Sequence, residues 1–162
     1  MELVTDGLRR ADEDNPKGYY ELEAAKKTRQ DAAWLDRAEG KAVKVIYRLL
    51  YDLPADREYR VIFMRRDMGE VVASQSIMLH RRDEQGAKLT AKQMAKAFAR
   101  ELAKLDNWLS RQDNFSLLDV DYRATVADPL LQAQRVNAFL GGNLDVAAMA
   151  AVVDPDLYRN RS

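Results

Sequence analysis

Apolar positions recur along this chain with two different periods, and the places where the period switches outline the fold. Val61-Ile-Phe-Met64 is a short unbroken apolar run between Tyr59-Arg60 and Arg65-Arg66. Its length and its β-branched and aromatic content predict a strand over Arg60–Met64, buried on both faces. Directly after it, Met68, Val71, Val72, Ile77, Met78 and Leu79 follow the helical period. Asp67, with Glu70 three residues on, has the spacing of a capping box, so a helix is expected from about Asp67 to Arg82. Thr90-Ala-Lys-Gln93 is a second capping box. It opens a long helix to about Gln112, with Met94, Phe98, Leu102, Leu105, Trp108 and Leu109 facing the core. Phe115–Asp121 reads as a strand. Asp128-Pro129 supplies a cap followed by proline at the first helical position, and Gly141-Gly142 ends that helix. A last helical segment covers about Leu144 to Val152.

The first third is less regular. Leu3 to Thr5 fits a short strand, and Asp14-Asn-Pro-Lys-Gly18 is a turn-rich loop. Tyr20 to Arg37 reads as a helix, with Leu22, Ala25, Thr28, Ala32 and Leu35 roughly on one face, closed by Gly40. Ala42 to Tyr47 is β-branched and predicts a strand. Arg48 to Asp52 fits a helical turn stopped at Pro54. Strands alternating with helices imply a parallel sheet covered on both faces, and the 162 residues read as a single α/β domain.

Composition narrows the function classes. Acidic and basic residues balance at 26 each, for a formal net charge of zero, which argues against nucleic acid as a main partner. The chain has no cysteine and one histidine, His80, so disulfides and thiolate metal sites are excluded and no metal is expected. Met1-Glu-Leu-Val-Thr-Asp is not a signal peptide, and no apolar run approaches membrane-spanning length. A soluble cytoplasmic protein is the expectation.

The chemistry concentrates where the Arg60–Met64 strand meets the next helix. Arg65 and Arg66 sit at that junction, beside backbone N–H groups that attract anions. In a parallel sheet, ligands bind at the carboxyl ends of strands, where this junction falls. The segment is built like a phosphate or sulfate site. The same spacing also fits an ordinary strand-to-helix connection with two surface arginines.

Three separated segments carry a resemblance. They are Arg66-Asp-Met-Gly-Glu-Val-Val-Ala-Ser74, Asp121-Tyr-Arg-Ala-Thr-Val-Ala-Asp-Pro129, and Val136-Asn-Ala-Phe-Leu-Gly141. In this order they resemble the sulfotransferase superfamily, and Thr5-Asp-Gly-Leu-Arg and Asn15-Pro-Lys-Gly-Tyr-Tyr-Glu21 look like its bacterial members. Asp67-Met68 departs from the asparagine–proline common in animal members. The resemblance implies a three-layer parallel sheet of the P-loop sulfotransferase type, and 3′-phosphoadenosine 5′-phosphosulfate as sulfate donor. It implies that Arg66 and Ser74 bind the donor's 3′-phosphate and that Tyr122 contacts its adenine.

The family normally begins with a strand, a glycine-rich phosphate loop and a helix, ahead of the segment that starts here near Leu3. No Gly-x-x-x-x-Gly-Lys occurs in the 162 residues. The resemblance therefore implies an N-terminally truncated fold, without the cradle for the 5′-phosphosulfate. Such a chain is expected to be inactive alone, and to cover its open strand edges by forming a homo-oligomer. The alternative is a non-catalytic remnant that serves as a binding or assembly module.

The catalytic base is not identified by the sequence. Glu21 and Asp31 are carboxylate candidates, and His80 reads as a surface residue. Lys44 could point at the sulfuryl group or snorkel to solvent. Arg159 and Arg161 could fold over a phosphate or belong to a frayed tail.

Overall fold

A computed structural model of the chain describes residues 1–13, 15–81 and 90–158, with 76–81 described by backbone alone. The chain forms two compact units, Met1–Arg57 and Glu58–Ser162.

In the first unit, Leu3 and Ala42 form an isolated parallel bridge, with Val4 N–H donating to Ala42 O and Ala42 N–H to Glu2 O, both at 2.8 Å. The strand expected over Ala42–Tyr47 goes no further than this bridge: Ile46 is exposed, and a 3-10 turn begins at Tyr47 and runs to Asp52. The helix expected over Tyr20–Arg37 is also corrected. A 3-10 turn at Glu23–Lys27 is followed by turns and then by the short helix α1, Trp34–Ala38. The break lies at Thr28. Its Oγ1 donates to Ala25 O at 2.6 Å and accepts from Trp34 Nε1 at 3.0 Å, and all three residues are buried. That side chain competes with the helical ladder for backbone partners, as threonine readily does. Gly40 has φ +68°, a conformation glycine adopts without a Cβ penalty.

In the second unit, strand β1 (Tyr59–Arg65) pairs in parallel with β2 (Phe115–Asp121), in register from Tyr59↔Phe115 to Arg65↔Asp121. Helices α2 (Met68–Arg81) and α3 (Ala91–Leu109) lie between them in the chain and form the crossover that parallel strands require. Short α4 (Tyr122–Ala127), α5 (Pro129–Phe139) and α6 (Val146–Ala151) follow. Side-chain caps start most of these helices. Thr90 and Gln93 form the full reciprocal capping box, Asp128 accepts from Leu131 N–H at 3.0 Å, and Asp145 accepts from Ala148 N–H at 2.9 Å. The core of this unit includes Val72, Leu105, Leu109, Val120 and Ala133. The Tyr59 and Phe115 rings stack across the first rung at 4.9 Å, and Trp108 meets Phe115 edge-on at 5.4 Å.

The arrangement is α/β with a small parallel sheet, of two strands among the described residues. The expected burial of β1 on both faces is not seen there. Val61 and Phe63 are half-buried, whereas Ile62 and Met64, on the other side of the pleat, are 39% and 49% exposed. Among the described residues, no helix is long and apolar enough to cross a membrane.

Candidate anion-binding site

Because the ladder ends with Arg65 opposite Asp121, Arg66 and Tyr122 leave the sheet at the same carboxyl end. Helices begin at once on both strands. Asp67 Oδ1 accepts from Glu70 N–H at 3.1 Å to start α2, and Asp121 Oδ1 accepts from Ala124 N–H at 2.8 Å to start α4.

The basic pair divides. Arg65 donates from Nε to Asp119 Oδ1 at 2.7 Å and from Nη2 to Asp106 Oδ1 at 2.6 Å, with its guanidinium 4.2 Å from the Phe63 ring centroid. Burial disfavours the charge on Arg65, but the bonds to Asp119 and Asp106 outweigh it and raise its pKa. Arg65 is therefore held as a structural cation. It borders a cleft of about 410 Å³ with Asp106, Leu109, Phe115, Leu117 and Asp119.

Arg66 turns to the buried Glu70, donating from Nε to Oε2 at 3.0 Å. Its guanidinium carbon lies 4.8 Å from the Tyr122 ring centroid and 5.7 Å from that of Tyr158. The two rings meet edge-on at 5.3 Å. Arg123, the second residue of α4, donates to Glu70 Oε1 from Nη2 at 2.6 Å and from Nε at 2.9 Å. The Tyr158 hydroxyl donates to the same oxygen. Burial pushes the Glu70 carboxyl up, but the bonds from Tyr158, Arg123 and Arg66 overcome it and hold the pKa at about 2. A buried carboxylate is tolerated when it is paired and fully hydrogen-bonded in this way. The bond to Glu70 raises the pKa of Arg123, and it raises that of Tyr158 by favouring the neutral, donating phenol.

Of the residues expected at the site, Arg66 and Tyr122 come together directly. Ser74 is half-buried on α2, one turn beyond Glu70 on the same helix face. Three participants had not been expected: Glu70, read only as a cap partner, Arg123 and Tyr158. The i,i+4 spacing of Arg66 and Glu70, beside the apolar Val71 and Val72, is the sequence signal for the first of these.

The remaining candidates have other duties. Glu21 accepts from Arg9 Nη1 at 2.9 Å and lies 3.1 Å from Lys26 Nζ. Burial pushes its carboxyl up, but Lys26 and Arg9 prevail and hold it below its usual range, which makes it a weaker base. Asp31 Oδ1 accepts from Ala33 N–H at 2.9 Å, and Lys44 Nζ donates to Tyr19 O at 2.7 Å. His80 lies on α2, but its side chain is outside the described residues, as are Arg159 and Arg161. No group of three or more His, Cys, Asp or Glu that could hold a metal occurs among the described residues.

The product is a platform at the carboxyl end of a parallel ladder. Two guanidiniums share one buried carboxylate, which leaves a net positive charge beside two tyrosine rings. That makes an α/β protein with a cationic, aromatic-lined patch at the carboxyl end of its parallel ladder. The model of the Sulfotransferase family matches residues 12–145, and the chain belongs to that family. Comparison with curated proteins and with solved structures gave no match.

Proposed function

We propose that the chain is a sulfotransferase-like protein that recognises the 3′-phosphoadenosine part of 3′-phosphoadenosine 5′-phosphosulfate. In this reading Arg66 and Ser74 take the 3′-phosphate and Tyr122 lines the adenine. The observation that carries it is the joint emergence of Arg66 and Tyr122 from the last rung of the ladder, with the guanidinium 4.8 Å from the ring. The bond to Glu70 uses one of the five N–H donors of Arg66, so the group can still grip a phosphate. The finer architecture of this reading is the three-layer sheet of P-loop sulfotransferases. Its partner is the nucleotide sulfate donor rather than nucleic acid, and its setting is the cytoplasm.

In sulfuryl transfer, a hydroxyl or amine attacks sulfur, the bond from sulfur to the bridging phosphate oxygen breaks, and the acceptor proton passes to a base. Cationic groups then balance the charge on the leaving phosphate. The 162 residues hold no glycine-rich phosphate loop for that end of the donor, so the contribution of this chain is recognition of the nucleotide rather than turnover.

Titration calorimetry with adenosine 3′,5′-bisphosphate tests the reading. Wild type is expected to bind weakly, and Arg66→Ala at least about tenfold more weakly, a difference of about 1.4 kcal/mol. Equal binding by the two proteins would remove Arg66 from the site.

A further inference from the structure

We propose that the outward face of α3 is a docking surface for an anionic lipid membrane, with Lys92, Lys96, Arg100, Lys104 and Arg111 as the residues that meet the headgroups. The proposal stands independently of the nucleotide reading above, because none of these residues belongs to the platform at the end of the ladder.

Helical geometry sets the face. Lys92, Lys96, Arg100 and Lys104 follow one another at steps of four. At 3.6 residues per turn they form one gently slanting row, on the side of α3 opposite the buried Leu105 and Leu109. All four cations are exposed, and so are Ala99, Ala103 and Asn107 beside them. Arg111, just past the helix, is also exposed and donates from Nη2 to Asn107 Oδ1 at 3.2 Å, which extends the row. The two carboxylates of α3 lie on its flanks and are engaged, Glu101 with Lys104 at 2.7 Å and Asp106 with Arg65 at 2.6 Å. Among the described residues, Lys92, Lys96 and Arg100 make no ion pair.

This row works against the helix that carries it. Like charges four residues apart repel one another. Lys92 lies in the first turn, where the positive end of the helix dipole disfavours a cation, and that turn holds no acid. The chain as a whole is neutral, with 26 acidic and 26 basic residues, so positive charge is segregated onto this face rather than spread evenly. A local rule broken without compensation points to a surface kept for contact. The outward residues of α3 include no aromatic ring on which a base could stack, and no large apolar side chain to enter acyl chains. From Lys92 to Lys104 the row is about 18 Å long and convex, and a plane of charge meets it along its whole length. The anionic headgroups of a cytoplasmic leaflet form such a plane, and clusters of four or more lysines and arginines are what it attracts. Docking is therefore at headgroup level, reversible, and weakened by salt.

The test is co-sedimentation of the full chain with two kinds of vesicle, phosphatidylcholine alone and phosphatidylcholine with phosphatidylserine in equal parts. Wild type is expected to sediment with the mixed vesicles only, and to be released as salt rises. Lys96→Gln/Arg100→Gln should lose at least about tenfold in partitioning, since each basic residue near such a surface contributes about a factor of five. Lys27→Gln/Arg29→Gln removes two exposed cations from the first unit and should bind as wild type does. Circular dichroism checks the fold of both variants. If Lys96→Gln/Arg100→Gln is not folded, Lys96→Gln alone decides, with an expected loss of about fivefold. Equal binding or equal losses by the two double variants would overturn the assignment to α3. A wild type without preference for the mixed vesicles overturns the membrane as partner. So does a DNA duplex that binds more tightly than these vesicles at the same salt and is lost in Lys96→Gln/Arg100→Gln, which would make the face a nucleic-acid surface.

Discussion

Arg65 and Asp121 face each other on the last rung of the β1–β2 ladder, and that pairing decides where every site residue falls. One residue beyond them, Arg66 and Tyr122 are already outside the sheet. Both strands hand over to helices there, so the side chains of Glu70 and Arg123 are delivered from different elements to one point. The expected behaviour of the protein follows from this convergence and from the packing beneath it.

Glu70 gives stability a definite dependence on pH. Its carboxyl titrates near 2 in the folded chain against an ordinary value of 4.5, so folding favours the ionised form. The corresponding stability is complete above about pH 4.5 and is lost as pH falls toward 2. Urea unfolding from pH 6 to pH 3 should show falling stability for wild type and a flatter profile for Glu70→Gln. At pH 7 this variant is expected to be less stable by about 1.5–3 kcal/mol, the scale for hydrogen bonds to a charged group. Parallel profiles would mean that Glu70 is not the group responsible.

Leu105 on α3 is wholly buried. Leu105→Ala should cost about 2–5 kcal/mol, from lost apolar transfer and the cavity left behind. A loss of unfolding free energy in urea smaller than that range would place the core of the second unit elsewhere.

Thr90 accepts from Gln93 N–H at 3.3 Å, and its own N–H donates to Gln93 Oε1 at 2.8 Å. Thr90→Ala is expected to lower stability by about 1 kcal/mol, and Thr90→Ser to be nearly neutral. Thermal melts of the three proteins would measure this, and equal midpoints for wild type and Thr90→Ala would count against the cap.

The 162-residue chain alone should show no sulfuryl transfer to a phenol acceptor. Losing a single oxyanion-type donor costs about 10²–10³ in rate, and this sequence supplies no glycine-rich loop of such donors. Turnover that disappears in Arg66→Ala would refute the expectation.

Self-association is expected through β1, where Ile62 and Met64 are 39% and 49% exposed. A symmetric contact between two copies would cover both residues. Sedimentation over a range of concentrations should show dimer or larger species, shifted toward monomer by Ile62→Lys. A wild-type monomer at high concentration would rule this out.

Where a local signal acted alone, the sequence was readable. Phe115–Asp121 is β2 at its full length, and Thr90 opens α3 as its capping box requires. The helix expected over Tyr20–Arg37 failed because Thr28 spends its hydroxyl on Ala25 O and Trp34 Nε1, a tertiary choice that periodicity does not register. Ala42–Tyr47 failed because β-branched composition does not provide a neighbouring strand, and among the described residues only Leu3 bridges to it, at Ala42. Arg66 and Tyr122, singled out by their motifs, lie side by side, with the guanidinium 4.8 Å from the ring centroid. The partnership of Glu70 with Arg123 and Tyr158 was not, since those residues lie 53 and 88 positions away. The local fit of Glu70 to a cap masked its long-range role.

The parallel register also governs the order of events in folding. Residues 66–114 lie between the two strands, so no hairpin can seed the ladder, and its closure waits on α2 and α3. Arg66 and Arg123 come to share Glu70 only after that closure. A partly folded chain therefore lacks the shared Glu70 anchor, and any ligand of this end of the ladder would recognise the native state. Such a ligand would bind only the closed ladder and draw the folding equilibrium toward it by mass action. Chains made in its presence should accumulate more of the native form than chains made without it.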